Sequence, residues 1–142
     1  RPEKDEETTK REEEEQMRLT VEERETYRRP LASPGYFVRA SLDLTHPLAY
    51  GMKKDVAVLK FGTAAFDLSA GGGIVGIFDK NAKLSGYAHP DNVKQISDKG
   101  YLAHATLGQG HVVLFSDDPT WREFMSGLEP LFLNAVLLMP SN

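Results

Sequence analysis

The stretch Gly108-Gln-Gly-His-Val-Val-Leu-Phe-Ser-Asp-Asp-Pro-Thr-Trp-Arg122 decides the fold, together with the apolar run Leu131-Phe-Leu-Asn-Ala-Val-Leu-Leu138 that follows it. A short, β-branched apolar run predicts a strand from His111 to Phe115 that is covered on both faces. Asp118 before Pro119 has the pattern of a helix N-cap with proline at the first helical position. The sequence therefore predicts an α/β fold in which the chain passes from a strand into a helix at the aspartates.

The composition of the chain fits one domain and narrows its function. The 142 residues are 40% hydrophobic, which is enough for one core. The net charge of -4 argues against non-specific nucleic-acid binding, because contact with phosphates needs a basic face. The chain has no cysteine, so it holds no disulfide, thiolate metal ligand or cysteine nucleophile. No apolar stretch approaches the roughly 20 residues that cross a bilayer.

Charge is concentrated at the start of the chain, where 19 of the first 29 residues are Asp, Glu, Lys or Arg. Residues 1–29 are therefore predicted to be a charged linker or surface insertion. The sequence Thr20-Val-Glu-Glu23 has the capping-box pattern and predicts a short helix from Val21 to about Arg28. The folded domain is expected to occupy residues 30–142.

The folded region is strand-rich and ends in a helix. Strands are predicted at Tyr36 to Leu44, Asp55 to Phe61, Ala65 to Leu68 and Gly71 to Phe78, with a turn at residues 79–81, a helical turn at residues 91–97 and a hairpin through Gly108-Gln-Gly110. Gly127 is expected to interrupt the C-terminal helix, because Pro130 suits the first turn of a second segment. One face of that helix is predicted to be core: Leu128, Leu131, Phe132, Ala135 and Leu138.

Several segments resemble one family in their order and spacing. They are Asp43-Leu-Thr-His-Pro-Leu-Ala-Tyr-Gly-Met52, Gly71-Gly-Gly-Ile-Val-Gly76, Leu84-Ser-Gly86 and the C-terminal stretch quoted above. Together they are similar to the end of long bacterial proteins in which a zinc carboxypeptidase domain is followed by a class I glutamine-amidotransferase-like domain. The resemblance covers roughly residues 34–139. It implies part of a flavodoxin-like layered domain, with its opening strands outside this chain.

The resemblance also implies a role, a cofactor, partners and a location. The role is that of a non-catalytic scaffolding or interaction domain beside the peptidase, whose zinc is held outside this chain. The implied partners are the upstream peptidase domain and the missing half of the α/β domain, with self-association possible through an exposed sheet edge. The implied location is periplasmic or secreted. Class I amidotransferase-like domains use a nucleophilic cysteine, and this chain has none, so hydrolysis by that mechanism is not expected.

Two motifs suggest ligand sites but lack the required context. Gly71-Gly-Gly-Ile-Val-Gly76 formally satisfies a dinucleotide fingerprint, but a strand rather than a helix is predicted after it, which favours a close backbone approach. The four histidines, His46, His89, His104 and His111, lack the His-x-x-Glu spacing of a zinc carboxypeptidase, so no metal ligands are assigned in this chain. The last two are expected to lie close together on adjacent strands, and His46 to hydrogen-bond the turn that positions Leu48 and Tyr50.

The best candidate site is the cluster Asp117, Asp118, Trp121 and Arg122 at the end of the predicted strand. In open α/β sheets this is where ligands bind, so the cluster is a candidate small-molecule or glycan site. In the structural alternative, Asp118 caps the helix, Arg122 pairs with Asp117 or Asp118, and Trp121 covers the strand end. No catalytic residue is assigned. Asn134, within an apolar helical stretch, is expected to be a buried amide bonded to backbone.

Overall fold

The fold is known from a computed structural model that describes Thr20, residues 34–68 and residues 73–139. Within these residues the chain forms one five-stranded antiparallel sheet in the order β2-β1-β3-β4-β5. The strands are β1 Tyr36–Leu42, β2 Asp55–Lys60, β3 Ile74–Gly86, β4 Gly100–Leu107 and β5 Gly110–Phe115. The helices are α1 Pro90–Ile96 and α2 Glu129–Leu137, with 3₁₀ helices at Pro47–Ala49 and Trp121–Glu123. The predicted strand-rich α/β fold with a C-terminal helix is confirmed.

The core is built on one face of the sheet, to which β1 contributes most regularly. In β1, the alternating residues Tyr36, Val38 and Ala40 are fully buried, as expected for a strand with one face on the core. Val58 lies opposite Val38 and is also buried. The 3₁₀ helix Pro47–Ala49 adds Leu48 and Ala49 to the core, and the helix α2 adds Leu131 together with its N-cap residue Leu128. The predicted helix Val21 to Arg28 and the charged segment 1–29 lie outside the described residues, apart from Thr20.

The strand β3 corrects the prediction of a turn at residues 79–81. β3 continues through this point for 13 residues. Its pairing with β1 is irregular there, because Ala40 lies opposite Phe78 whereas Val38 lies opposite Lys83. Such bulges accommodate extra residues without ending a strand. The predicted strand at residues 65–68 is also wrong, since only Phe66 pairs, in an isolated bridge with Gly100.

The strand β5 corrects the prediction of a strand covered on both faces. It pairs only with β4 and forms one edge of the sheet. Val112 and Leu114 are 39% and 49% exposed. The hairpin itself is confirmed, because Leu107 lies opposite Gly110 and Gly108 has a φ of 63°, a conformation that glycine adopts without steric cost. An apolar run this short does not distinguish an edge strand from a central one.

The predicted passage from strand to helix at the aspartates is wrong. The chain makes only the 3₁₀ helix Trp121–Glu123, in which Arg122 and Glu123 have left-handed φ angles of 49° and 55°. These conformations cannot continue an α-helix. The helix α2 begins later, at Glu129, with proline in its first turn, which confirms the predicted interruption near Gly127.

The predicted core face of α2 is only partly correct. Leu128 and Leu131 are buried, and Ala135 packs against the core as a partly buried residue. Leu138 is half-buried. Phe132, however, is 45% exposed. The short helix uses a narrower face than the pattern predicts.

Candidate functional site

The fold separates the four residues of the predicted strand-end cluster, and the side chain of Asp117 is buried. The carboxylate Oδ2 of Asp117 is 2.5 Å from Nζ of Lys60, and their side chains are 6% and 0% exposed. The backbone N–H of Phe61 donates to Oδ1 at 3.1 Å, and the hydroxyl of Ser116 donates to Oδ2 at 3.0 Å. The predicted pairing of Arg122 with an aspartate is wrong, because Asp117 pairs with Lys60 and Asp118 bonds to Thr120.

The surroundings of Lys60 are also those of an internal network. The ammonium donates a second bond to the carbonyl of Ala64 and lies 5.3 Å from the centre of the Phe78 ring. Burial, and then the charge of Asp117, raises the pKa of Tyr36 to about 12. The bonded and buried carboxylate therefore serves as the counterion of a core lysine, the arrangement that burial of a charge requires.

Tyr101 is the second tyrosine affected by this charge. Its pKa is raised by burial first and then by the negative charges of Asp117 and Asp118. Its hydroxyl is buried and, within the described part of the chain, has no hydrogen-bond partner. Its ring packs instead, with ring centres 5.6 Å from Phe78 and 6.2 Å from Phe115. Tyr101 therefore acts here as a core aromatic residue.

Asp118 stabilises a turn rather than a helix. Its Oδ1 accepts from the backbone N–H and from the hydroxyl of Thr120, both at 2.8 Å. This is the local bond by which aspartate favours turns. The N-cap of the following 3₁₀ helix is Thr120, which makes no side-chain capping bond. Asp118 therefore does not act as the predicted helix N-cap. It stabilises the turn that leads into the 3₁₀ helix.

Trp121 and Arg122 form the outer half of the cluster. The indole packs on Phe61 with ring centres 5.0 Å apart, and the guanidinium of Arg122 lies 5.1 Å from the indole. Arg122 also lines an open groove of about 630 Å³, together with Thr120, Glu123, Glu129, Phe132 and Leu133. Of the four predicted residues, Arg122 lines this groove, whereas both aspartates are held by internal bonds.

Three histidines form a hydrogen-bonded row that the sequence only partly reveals. Nε2 of His46 is 3.0 Å from Nδ1 of His104, and Nε2 of His104 is 2.9 Å from Nδ1 of His111. His104 and His111 lie diagonally on one face of the β4–β5 hairpin, because they lie opposite Val113 and Thr106. Their predicted proximity is confirmed. The contribution of His46, 58 residues away from His104, carries no local signal.

The first histidine of the row also caps a turn, as predicted. Nδ1 of His46 accepts from the backbone N–H of Leu48 at 3.2 Å. The pKa of His46 is lowered by burial first and by His104 second, and Asp43 opposes this shift. The pKa of His104 is lowered by burial and then by His111. Both shifts favour the neutral form of these two imidazoles.

The geometry of the row differs from that of a metal centre. Ligands of one ion must converge on a point, whereas His104 turns a different ring nitrogen to each neighbour. Among the residues that the structure describes, no group of three or more His, Cys, Asp or Glu is placed to hold a metal ion. The expectation that the parent protein's zinc is held elsewhere stays a prediction.

The glycine-rich motif makes the expected close approach of backbones. Gly73 has a φ of 86°, and a Cβ there would lie 2.1 Å from the carbonyl oxygen of His104. The strand β3 starts at the next residue, Ile74. A Cβ on Gly76 would lie 2.9 Å from the side chain of Leu42. These glycines therefore serve strand packing and help to fix the backbone that carries the central histidine.

No family model matches the chain, and no curated protein or solved structure is significantly similar to it. The described helices include none that is long and apolar enough to span a membrane. The exposed surfaces and polar groups of this fold are therefore the features that bear on its function.

Proposed function

We propose that the chain is a non-catalytic interaction domain that works beside a zinc carboxypeptidase-type domain of the same polypeptide, as the sequence resemblance implies. The observation that carries the proposal is the outer face of α2. This face carries four large apolar residues on successive turns of the helix, and they are 45% to 67% exposed: Phe132, Leu133, Val136 and Leu137. In a chain with a net charge of -4, such a patch is typical of a surface that a partner covers.

The inner face of α2 packs against the core of the same chain, so the apolar residues of the outer face are not needed for that packing. Leu131 is fully buried in the core. The side-chain amide of Asn134 donates to the carbonyls of Leu48 and Tyr50, both at 2.9 Å, which confirms its predicted bonding to backbone. A helix that is apolar on both its inner and outer faces is typical of one that is buried on both. The expected occupant of the outer face is the neighbouring peptidase-type domain.

The two aspartates of the predicted cluster support a role without catalysis. Asp117 neutralises Lys60, and Asp118 is bonded to Thr120. A general acid or base must reach its substrate, and the 6% exposure of the Asp117 side chain denies it that access. The absence of cysteine removes the nucleophile that amidotransferase-like domains use.

The finer fold assignment belongs to the same proposal. Open α/β sheets can carry antiparallel strands at an edge of an otherwise parallel sheet. The described antiparallel strands would then extend a parallel, flavodoxin-like sheet whose opening strands come from elsewhere in the polypeptide. The proposed periplasmic or secreted location comes from the resemblance alone, as does the proposed zinc in the parent peptidase domain.

The proposal is tested with the region encoded upstream of this chain. That region should contain His-x-x-Glu, and when expressed separately it should bind the chain in isothermal titration calorimetry. The double variant Leu133→Lys/Val136→Lys places charges on the outer face and should weaken binding at least tenfold. The matched control is Leu107→Lys, at the tip of the β4–β5 hairpin, where the side chain is 75% exposed.

The possible outcomes distinguish the candidate occupants. An upstream region without His-x-x-Glu, or equal binding by all variants, would contradict the proposal. Dimerisation of the isolated chain that Leu133→Lys/Val136→Lys abolishes would assign the face to a second copy instead. The antiparallel edge β5 is the alternative route to such self-association, and Leu114→Lys would report on it.

A second candidate function is supported by Arg122. Its guanidinium lines the groove of about 630 Å³ and lies over Trp121, an arrangement suited to a small anionic or sugar ligand. We propose this small-molecule or glycan-binding role as the alternative. Peptidoglycan fragments and small carboxylates that raise the thermal midpoint of the wild type, but not of Arg122→Gln, would support it. A panel with no effect on the wild type would contradict it.

A further inference from the structure

We propose that His46, His104 and His111 form a pH-sensitive latch, which attaches the 3₁₀ helix Pro47–Ala49 and the helix α2 to the β4–β5 hairpin at neutral pH and loosens them in mild acid. This inference goes beyond the proposed interaction role and does not depend on it. It is carried by the order of hydrogen bonds along the row. Because the row joins three separate elements, its state affects how those elements are held together.

The row has one direction, which the backbone imposes. The N–H of Leu48 can only donate, so Nδ1 of His46 must be unprotonated and its Nε2 must carry the hydrogen. That Nε2–H donates to Nδ1 of His104, which in turn donates from Nε2 to Nδ1 of His111. Each of the three rings is therefore neutral and protonated at Nε2 when all three bonds exist. No other assignment of hydrogens satisfies the three contacts.

Protonation of any ring removes at least one of these bonds. An imidazolium donates from both nitrogens and accepts at neither. A proton added to Nδ1 of His104 would face the Nε2–H of His46, so that two donors would oppose each other. A proton on His46 would oppose the N–H of Leu48 and uncap the 3₁₀ helix. The row cannot absorb the proton by reversing its direction, because the backbone donor at Leu48 is fixed.

The row connects α2 to the sheet through the 3₁₀ helix. Asn134 of α2 donates to the carbonyls of Leu48 and Tyr50, and His46 caps the same short helix. On the other side, His111 and Val113 of β5 face Ala135 and Met139 across a cavity of about 380 Å³. Loss of the row would leave this partly empty contact and the core packing of Leu48 and Leu131 to hold α2. We therefore expect a looser helix rather than an unfolded chain.

One acidic group near the row partly offsets a proton added to His46. Asp43, which is exposed, is the acidic group that acts on His46, and its carboxylate is already bonded to Thr45. Within the described part of the chain, the titratable neighbour that shifts the pKa of His104 is His111, and its effect is to lower that pKa. The helix α2 has one titratable residue, Glu129, and it lines the groove that contains Arg122.

The sign of the pH effect follows from the lowered pKa values. His46 and His104 bind protons less readily in the closed state than in an open one, where the histidine pKa is about 6.5. The stabilising contribution of the row is fully present above pH of about 6.5. It is lost as the pH falls below that value towards the lower pKa of the closed state. The latch should therefore loosen as the pH falls below about 6.5.

The test measures hydrogen exchange of the α2 amides at pH 7.5 and pH 5.5, after correction for intrinsic rates. In the wild type we expect protection to fall at least tenfold at the lower pH. In His104→Leu, protection should be low at both values and differ by less than twofold. The control is His89→Asn, which removes the histidine that caps α1 beside Pro90 and Asp91 and should keep the full pH response.

A second measurement on the wild type avoids any folding defect of the variant. Nitrogen chemical shifts at pH 7.5 should identify His46 and His104 as Nε2–H tautomers. The Nδ1–H tautomer in either ring, or equal α2 protection at both pH values, would overturn the latch. Binding of one Zn²⁺ per chain at low micromolar concentration, with loss of the binding in His104→Leu, would also overturn it and assign the histidines to a metal site.

Discussion

Removal of the Asp117 carboxylate should destabilise the protein more than any other single change in the strand-end cluster. The ammonium of Lys60 is fully buried, and its remaining acceptor in the structure is the carbonyl of Ala64. An unpaired charge in this environment costs about 3–5 kcal/mol of folding free energy. Asp117→Ala should therefore lose about that amount, which at roughly 3 °C per kcal/mol lowers the melting temperature by about 10 °C or more.

Removal of the Lys60 ammonium should lower the free energy of unfolding less than removal of the Asp117 carboxylate, because the two partners differ in their other hydrogen bonds. Without Lys60, Asp117 keeps the N–H of Phe61 and the hydroxyl of Ser116 as donors, so Lys60→Met should cost only about 1–2 kcal/mol. The double variant Lys60→Met/Asp117→Ala removes both charges and should be more stable than Asp117→Ala alone. The expected coupling is about 2 kcal/mol.

Urea unfolding followed by circular dichroism measures these differences, provided that the four proteins show the same m-value. A loss below about 1 kcal/mol for Asp117→Ala would refute the reasoning, since the ammonium would then be solvated. Strict additivity in the double variant would refute it equally. Either result would also reopen the question of whether Asp117 is available to a ligand.

Three further outcomes are expected. In thermal melts, Gly73→Ala should lose about 3 kcal/mol or more of folding free energy, because its Cβ would lie 2.1 Å from the His104 carbonyl oxygen. Gly108→Ala should lose only about 1–2 kcal/mol, because a Cβ there would have nothing within 4 Å. Asp118→Ala should lose about 1 kcal/mol with its two bonds to Thr120, and Asp118→Asn should recover most of that loss in the same melts. Zinc-reloaded chain should hold no stoichiometric metal by elemental analysis at neutral pH, and one tightly bound zinc would contradict this.

Local patterns predicted the parts of the fold that depend on short-range chemistry. The alternation of Tyr36 to Ala40 marks a half-buried strand, and Gly108-Gln-Gly110 marks the hairpin. Pro130 marks the start of α2. These signals come from backbone conformations and side-chain periods, so they are visible without knowledge of the fold.

The errors arose where distant pairing decides the structure. Nothing in the apolar run at residues 111–115 shows that its strand lies at the edge of the sheet, because that depends on which other strands pair with it. The site was misjudged for the same reason. Asp117 is paired with Lys60, 57 residues away, rather than with the nearby Arg122. The row of histidines likewise combines a turn with two strands that are separate in the sequence.

The central claim, that a neighbouring domain covers the outer face of α2, is tested most directly by hydroxyl-radical footprinting of side chains. The isolated chain should be oxidised at Leu133, Val136 and Leu137, whose exposures are 51%, 52% and 67%. In the longer polypeptide that includes the upstream region, oxidation at these positions should fall at least fivefold, while Leu107 at the hairpin tip should react as before. Unchanged oxidation at the three positions would contradict the claim.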